Sequence, residues 1–188
     1  MISFNETLSC PEQHENPGPQ ETVKLSKNPS SGFTGAEKPA RVIDGTLRLL
    51  PYFPCYEMTL GWYQDPELCR QVDNIDHVYT PELLKDMYTF LNDNGDCYYI
   101  EYRGVLVGDV TLRNNGEICI VICREYQNRH IGRKCVAEML RLAKEKGFGL
   151  VKANIYSFNA QSRHMFLSAG FVRTDEEWYE YRLCPELP

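Results

Sequence analysis

The octapeptide QNRHIGRK, residues 127–134, gathers Arg129, His130, Arg133 and Lys134 around the start of a helical repeat and contains no carboxylate. Unpaired N–H groups already give a helix start partial positive charge, so cations there destabilise the empty helix slightly and strengthen a bound anion. Gly132 lets the backbone approach a ligand closely, and the preceding run EICIVIC (117–123) would deliver the loop to a sheet edge. A pyrophosphate suits such a cradle. The plain alternative is four basic side chains on a solvated turn, because the spacing is neither a Walker loop nor a G-x-G-x-x-G fingerprint.

The elements that must position this stretch follow from periodicity. Val136, Met139, Leu140 and Ala143 recur at helical spacing and Gly147 supplies a stop, which predicts a helix over roughly 132–146. Before it, CYYIEY (97–102), VLVGDVTLR (105–113) and EICIVIC are separated by Arg103-Gly104 and Asn115-Gly116, the pattern of an antiparallel meander. TLRLLPYF (46–53) reads as a first strand, one or two short helices follow to about Asp73, and Thr80-Pro81-Glu82 starts a helix running to about Asn92. LVKANIY (150–156), NAQSRHMFLSAG (159–170) and EWYEYRL (177–183) read as strand, helix and strand. The order implies an α/β layered domain with a mostly antiparallel sheet and one parallel βαβ step, from 117–123 to 150–156.

The chain has 188 residues and a formal net charge of −6, which fits one domain and disfavours a nucleic-acid partner. No apolar run approaches the ~18–20 residues that span a bilayer, and the first residues lack the basic start and apolar core of a signal peptide. The expectation is a soluble cytoplasmic protein without a membrane partner. Residues 1–40, with Pro11, Pro17, Pro19, Pro29 and Pro39 among polar residues, read as a flexible tail, and 44–188 as the folded domain. Eight cysteines are scattered without a C-x-x-C pair and read as reduced thiols. Cys119 and Cys123 would stand about 13 Å apart along a strand, too far for one metal or a disulfide, and no metal site follows.

A second motif lies about 27 residues beyond the first. QNRHIG followed by NAQSRHMFLSAGF resembles the GNAT superfamily of acetyl-CoA-dependent N-acetyltransferases, most nearly the branch of ribosomal-protein alanine acetyltransferase-like enzymes. Gln127 and Gly132 match the ends of that family's Q/R-x-x-G-x-G/A pyrophosphate loop, and His130 stands at its first glycine position. His130 is compatible with the loop provided its backbone needs no positive φ. Asn159, Ser162, Phe166, Gly170 and Phe171 fall in register with N-x-x-S/A-x-x-x-Y-x-x-x-G-F. The resemblance extends over 46–183 and is most specific over 117–171.

The resemblance implies a GNAT-like sheet whose strand 117–123 carries a bulge. Val121 and Ile122 would then offer backbone donors to the thioester, which can lower a barrier by ~3 kcal/mol each. Gln127, Asn128, Arg129, His130, Ile131, Gly132 and Arg133 would cradle the pyrophosphate of acetyl-CoA, and Asn159, Ser162 and Phe166 would line its arm. The family's Tyr acid is replaced by Phe166, a loss that leaves acetyl transfer feasible because acid catalysis is worth typically ~10²–10⁴-fold. Glu117 is the candidate base, with Asp109 and Glu101 as weaker ones. The acceptor would be a primary amine on a protein, a peptide or a small molecule, acetylated directly in a ternary complex; a homodimer is compatible with this reading. Residues 44–100 hold ten acids against three bases, whereas 101–150 hold nine bases against six acids, which suits a cationic acceptor on one half and a phosphorylated cofactor on the other. The alternative from another class is a noncatalytic acyl-CoA-binding regulatory domain.

Overall fold

The computed structural model describes residues 38–183. The expected tail, but for residues 38–40, falls outside them. Strands β1 (Arg41–Val42) and β2 (Leu47–Pro51) lead through α1 (Tyr56–Thr59) and a 3-10 turn (Leu60–Gln64) to α2 (Pro66–Asp73) and α3 (Pro81–Asp93). The meander follows as β3 (Gly95–Tyr102), β4 (Val105–Arg113) and β5 (Ile118–Ile122). After a second 3-10 turn (Arg124–Tyr126) come α4 (Ile131–Glu145), β6 (Leu150–Asn154), α5 (Ala160–Ser168), β7 (Val172–Arg173) and β8 (Trp178–Arg182).

Local chemistry accounts for where these elements begin. The Asp65 carboxylate accepts from the N–H groups of Glu67 and Leu68 with Pro66 opening α2, and the Thr80 hydroxyl accepts from Leu83 N at 3.2 Å with Pro81 opening α3. Arg103 and Gly104, both at positive φ, form the two-residue turn that folds β4 back on β3.

The chain is an α/β fold with antiparallel sheets flanked by helices, as its pattern implies. Strands β1 to β5 pair in sequence order, each antiparallel to the next, while β6, β8 and β7 form a second antiparallel sheet. Two details differ from expectation. The parallel step from β5 to β6 shrinks to one bridge, Glu117 with Lys152, where Lys152 N donates to Gly116 O at 2.9 Å. Beyond that joint the strands part, because β6 takes its ladder from β8 and a cavity walled by β5, Asn154, Ser162 and Phe166 occupies the space between.

The bulge also lies elsewhere. Strand β5 pairs with β4 without a slip from Leu112↔Ile118 to Gly108↔Ile122. Instead, Ile100 opposes Gly108 while Glu101 opposes Leu106, which leaves Val107 of β4 as the extra residue.

Side-chain alternation on β3 splits the interior in two. Tyr98 and Ile100 join the layer of α4 and α5, with Val136, Met139, Ala143 and Phe166, whereas Cys97 and Tyr99 face Tyr63, Leu84 and Tyr88 from the early helices. On α4 the buried stripe is Ile131, Cys135, Val136, Met139, Leu142 and Ala143, with Leu140 at its edge. Among the described residues no helix is long and apolar enough to cross a membrane.

Candidate active site

Where β5 and β6 part, a cleft of about 620 Å³ opens between β5, the start of α4, α5 and α2. The helix start behaves as its sequence demands. Helices α2, α3 and α5 are each capped by a side chain, from Asp65, Thr80 and Asn159, but α4 has no side-chain cap and no acid in its first turn. The first N–H groups of a helix have no partner within it, so those of Ile131, Gly132 and Arg133 are left for a ligand at the cleft wall. Gly132 is open toward that space, with the nearest foreign atom 3.8 Å from where a Cβ would stand.

The loop ahead of α4 is held from both ends. Gln127 Nε2 donates to Ile122 O at 2.9 Å, and Gln161 Nε2 donates to Asn128 Oδ1 at 3.1 Å, which ties the loop to β5 and α5. Asn128 and His130 are both left-handed, at φ 58° and 61°. The condition set on His130 is therefore not met: it takes the glycine-like conformation itself, a strain of ~1–2 kcal/mol that His tolerates better than most residues. The four basic residues divide. Lys134 is bound to Asp44 at 2.7 Å and Arg129 lies over the Tyr126 ring at 5.2 Å, while His130 and Arg133 line the cleft.

Of the other residues singled out in the sequence, Val121, Ile122, Gln127, Asn128, Ile131, Gly132, Asn159 and Ser162 line the cleft. Phe166 does not. It is buried against Phe171 in the α4/α5 core, and reaches only the smaller inner chamber. Asn159 caps α5 by accepting from Ser162 N at 3.0 Å and donates its Nδ2 to Gln71 O at 3.1 Å. That second bond, with Tyr156 Oη donating to Asp73 O at 3.2 Å, straps α2 across the cleft. The wall contributed by Leu68, Gln71 and Val72 of α2 is absent from the sequence reading, whereas His164, expected on an exposed helix face, is exposed on α5 and lines the cleft.

An inner chamber of about 80 Å³ shares Val72, Ile120, Val121 and Ser162 with the cleft. Its other walls carry three carboxylates. Glu117 is buried and held by Arg113 at 2.6 Å, in a pair whose guanidinium also lies over Phe90. Asp73 accepts from the Tyr79 hydroxyl, and burial pushes its carboxyl above the usual range against that bond. Asp109 is fully enclosed, and its Oδ2 accepts from the hydroxyls of Tyr63 and Tyr88, each at 2.9 Å. Burial pushes Asp109 up to about 6, and the two phenols favour the anion and oppose that rise. Burial also pushes the Cys119 thiol in the chamber wall up to about 12, which keeps it from serving as a thiolate nucleophile. Glu101 is paired with Arg48 away from both cavities, and His77 touches Asp76 on the exposed surface.

Comparison with known proteins bears on the fold and the family. No curated protein matches the sequence. Among solved structures, a GNAT-family acetyltransferase from Bacillus anthracis superposes with a TM-score of 0.64 at 15% identity, covering 73% of this chain and 95% of that one. A spermidine N-acetyltransferase from Vibrio cholerae, solved with CoA and spermine, gives 0.61 at 14% identity over 70% of this chain and 84% of that one. An acetyltransferase from Salmonella typhimurium that modifies the N-terminal serine of a 50S ribosomal subunit protein gives 0.59 at 11% identity, covering 78% and 100%. These likenesses establish the fold. The family model described as the acetyltransferase (GNAT) family matches residues 55–171, a span that runs from α1 through the strapped cleft and the uncapped start of α4 to the Phe171 that closes α5, and the chain belongs to that family.

Proposed function

We propose that the protein is an acetyl-CoA-dependent N-acetyltransferase that passes the acetyl group directly to a primary amine within a ternary complex. The uncapped start of α4 carries the reading, because it leaves backbone donors beside Arg133 at the wall of a cleft large enough for a cofactor arm. When bound, acetyl-CoA supplies an activated thioester whose thiolate is a fair leaving group. The chain's own part is to hold the pyrophosphate on the 128–133 loop and to seat the arm between β5 and α5. Held in line with the thioester, an amine gains ~7–11 kcal/mol from proximity.

Direct transfer is favoured over a covalent acetyl-cysteine route by the raised Cys119 thiol. A proton acceptor belongs among the chamber carboxylates. Glu117, the candidate from the sequence, is committed to Arg113 and so is less free to take a proton than its position suggests. The acceptors handled by two of the superposed enzymes, a polyamine and a protein N-terminus, bracket the amine classes that suit the acidic chamber. The ribosomal N-terminus is the acceptor suggested by the sequence branch.

Thiol release from acetyl-CoA against N-terminal peptides, lysine peptides, polyamines and amino acids tests the activity. Tight acetyl-CoA binding with no thiol released on the whole panel would favour the regulatory alternative. Replacing Arg133 with Glu tests the placement of the cofactor. Reversing the charge at the cradle is expected to weaken acetyl-CoA binding about tenfold, or ~1.4 kcal/mol. A folded R133E variant with unchanged affinity by calorimetry removes the pyrophosphate from this loop.

A further inference from the structure

Asp109 is an odd residue to find at the centre of β4, between Gly108 and Val110 in a stretch buried from Leu106 to Leu112 that is otherwise apolar but for Thr111. In register it lies directly across from Val121, the β5 residue shared by the cleft and the inner chamber. Residues opposite one another in an antiparallel ladder point their side chains to the same face. Its two oxygens are used differently. Both phenols, from Tyr63 in the 3-10 turn and Tyr88 in α3, donate to Oδ2, whereas Oδ1 accepts no hydrogen bond among the described residues. Asp109 lines the inner chamber, and Oδ1 is the oxygen that neither phenol occupies.

We propose that Asp109, clamped by Tyr63 and Tyr88, is the catalytic residue that receives the acceptor's ammonium group in the inner chamber and takes up its proton through Oδ1. The inference rests on the N-acetyltransferase reading and specifies how that site handles the amine. The chamber is small beside the ~300–1,000 Å³ of whole-ligand pockets, so it admits the amine end of an acceptor and leaves the remainder outside. Its aromatic walls, Tyr63, Tyr79, Phe90 and Phe166, suit a cation, and among the described residues its three carboxylates outnumber the one guanidinium.

The step balances. One ammonium N–H bond breaks and its proton passes to Oδ1, which frees the nitrogen lone pair. Nitrogen then forms the C–N bond to the acetyl carbon while the C–S bond breaks, sulfur leaves with the electron pair, and a second proton from nitrogen converts it to the thiol. Asp109 returns its proton to water, so ammonium and thioester yield amide, thiol and one proton.

Tyr63 from the turn and Tyr88 from α3 bond Asp109, and further titratable groups act on it or are acted on by its charge without a bond: Tyr79 from the loop, Asp73 from α2, and Cys97 and Tyr99 from β3, with the Arg113–Glu117 pair farther along the chamber. Activity should rise as Asp109 ionises, with a limb near pH 6 where burial has placed it. Asp109→Asn keeps an acceptor oxygen for the phenols but cannot take a proton.

The test measures kcat, its pH profile and acetyl-CoA affinity for the wild type and D109N with a primary amine that the wild type acetylates. A fall in kcat of about 100-fold, loss of the limb, and acetyl-CoA affinity within twofold support the assignment. A folded D109N within about threefold of wild-type kcat overturns it and leaves the N-acetyltransferase reading standing. A wild type that binds acetyl-CoA and acetylates no primary amine overturns that reading and this role together. Should D109N fail to fold, Tyr88→Phe decides: loss of one donor to the anion moves the limb to higher pH if Asp109 is the base, and an unmoved limb rejects it.

Discussion

Gly108→Ala is expected to destabilise the fold by at least about 4 kcal/mol, an effect of the size seen only when a substitution meets a named structural obstacle. A Cβ at Gly108 would stand 2.0 Å from Val121 O and 3.0 Å from Val121 C, at a backbone φ of +157°. Those are backbone atoms of the neighbouring strand, so no side chain can swing aside. Relief would require β4 and β5 to separate at Gly108↔Ile122, next to Asp109↔Val121, where the cleft and the inner chamber meet. With total stabilities of about 5–15 kcal/mol for a domain, such a loss leaves little folded protein. Gly61→Ala is the control, since nothing lies within 4 Å of a Cβ there. Urea unfolding of both variants measures the difference, and a G108A midpoint near wild type would mean that the close strand approach is not a feature of the folded protein.

The bulge lies beside this close approach. With β4 pressed against β5 at Gly108, the β3 side accommodates Val107 as an extra residue, and Val107 O still accepts from Cys123 N at 2.9 Å. The resemblance placed the bulge one strand away, on 117–123. Nothing in VLVGDVTLR distinguishes a bulged strand from a regular one except its internal glycine, which the sequence reading left unused.

What was legible in the sequence is what local chemistry determines. Thr80 and Pro81 mark a helix start, Arg103-Gly104 marks a turn, and the lack of an acid or a capping side chain ahead of Ile131 marks a helix start left uncapped, because each depends on a few adjacent residues. What was not legible depends on residues distant in sequence. Asp109 finds its phenols 46 and 21 positions away, and α2 becomes a cleft wall only because Gln71 and Asp73 meet Asn159 and Tyr156, 88 and 83 positions on. A lone acid amid an apolar strand was the available signal for the chamber. Periodicity offers no counterpart for α2, whose eight residues read only as a short helix. His130 illustrates a middle case: its place in the loop was legible, but its left-handed backbone was not, since that is set by the route from Gln127, pinned to β5, to the first turn of α4.

Glu117→Ala is expected to cost about 3 kcal/mol of stability, because removing one partner strands the other charge in a poorly solvated place. The carboxylate is 4% exposed and the guanidinium of Arg113 15%, and among the described residues Arg113 Nε already lacks a partner. Without Glu117 the guanidinium keeps its contact with the Phe90 ring at 5.3 Å, which is worth less than a charge-assisted bond. The pair closes the β4–β5 hairpin where Arg113 N donates to Glu117 O at 2.8 Å, and Glu117 also forms the bridge to Lys152 that joins the two sheets. Loss of the pair therefore loosens the hinge from which cleft and chamber open. Replacing both partners with apolar residues, Arg113→Met with Glu117→Leu, should recover most of the lost stability, since a buried pair is often no better than well-packed hydrocarbon. Urea melts and kcat measured together separate the two roles open to Glu117. A structural clamp loses stability in E117A and regains it in the double variant. A general base loses kcat in both while E117A stays within about 1 kcal/mol of wild type, and that outcome would return the proton-accepting role from Asp109 to Glu117.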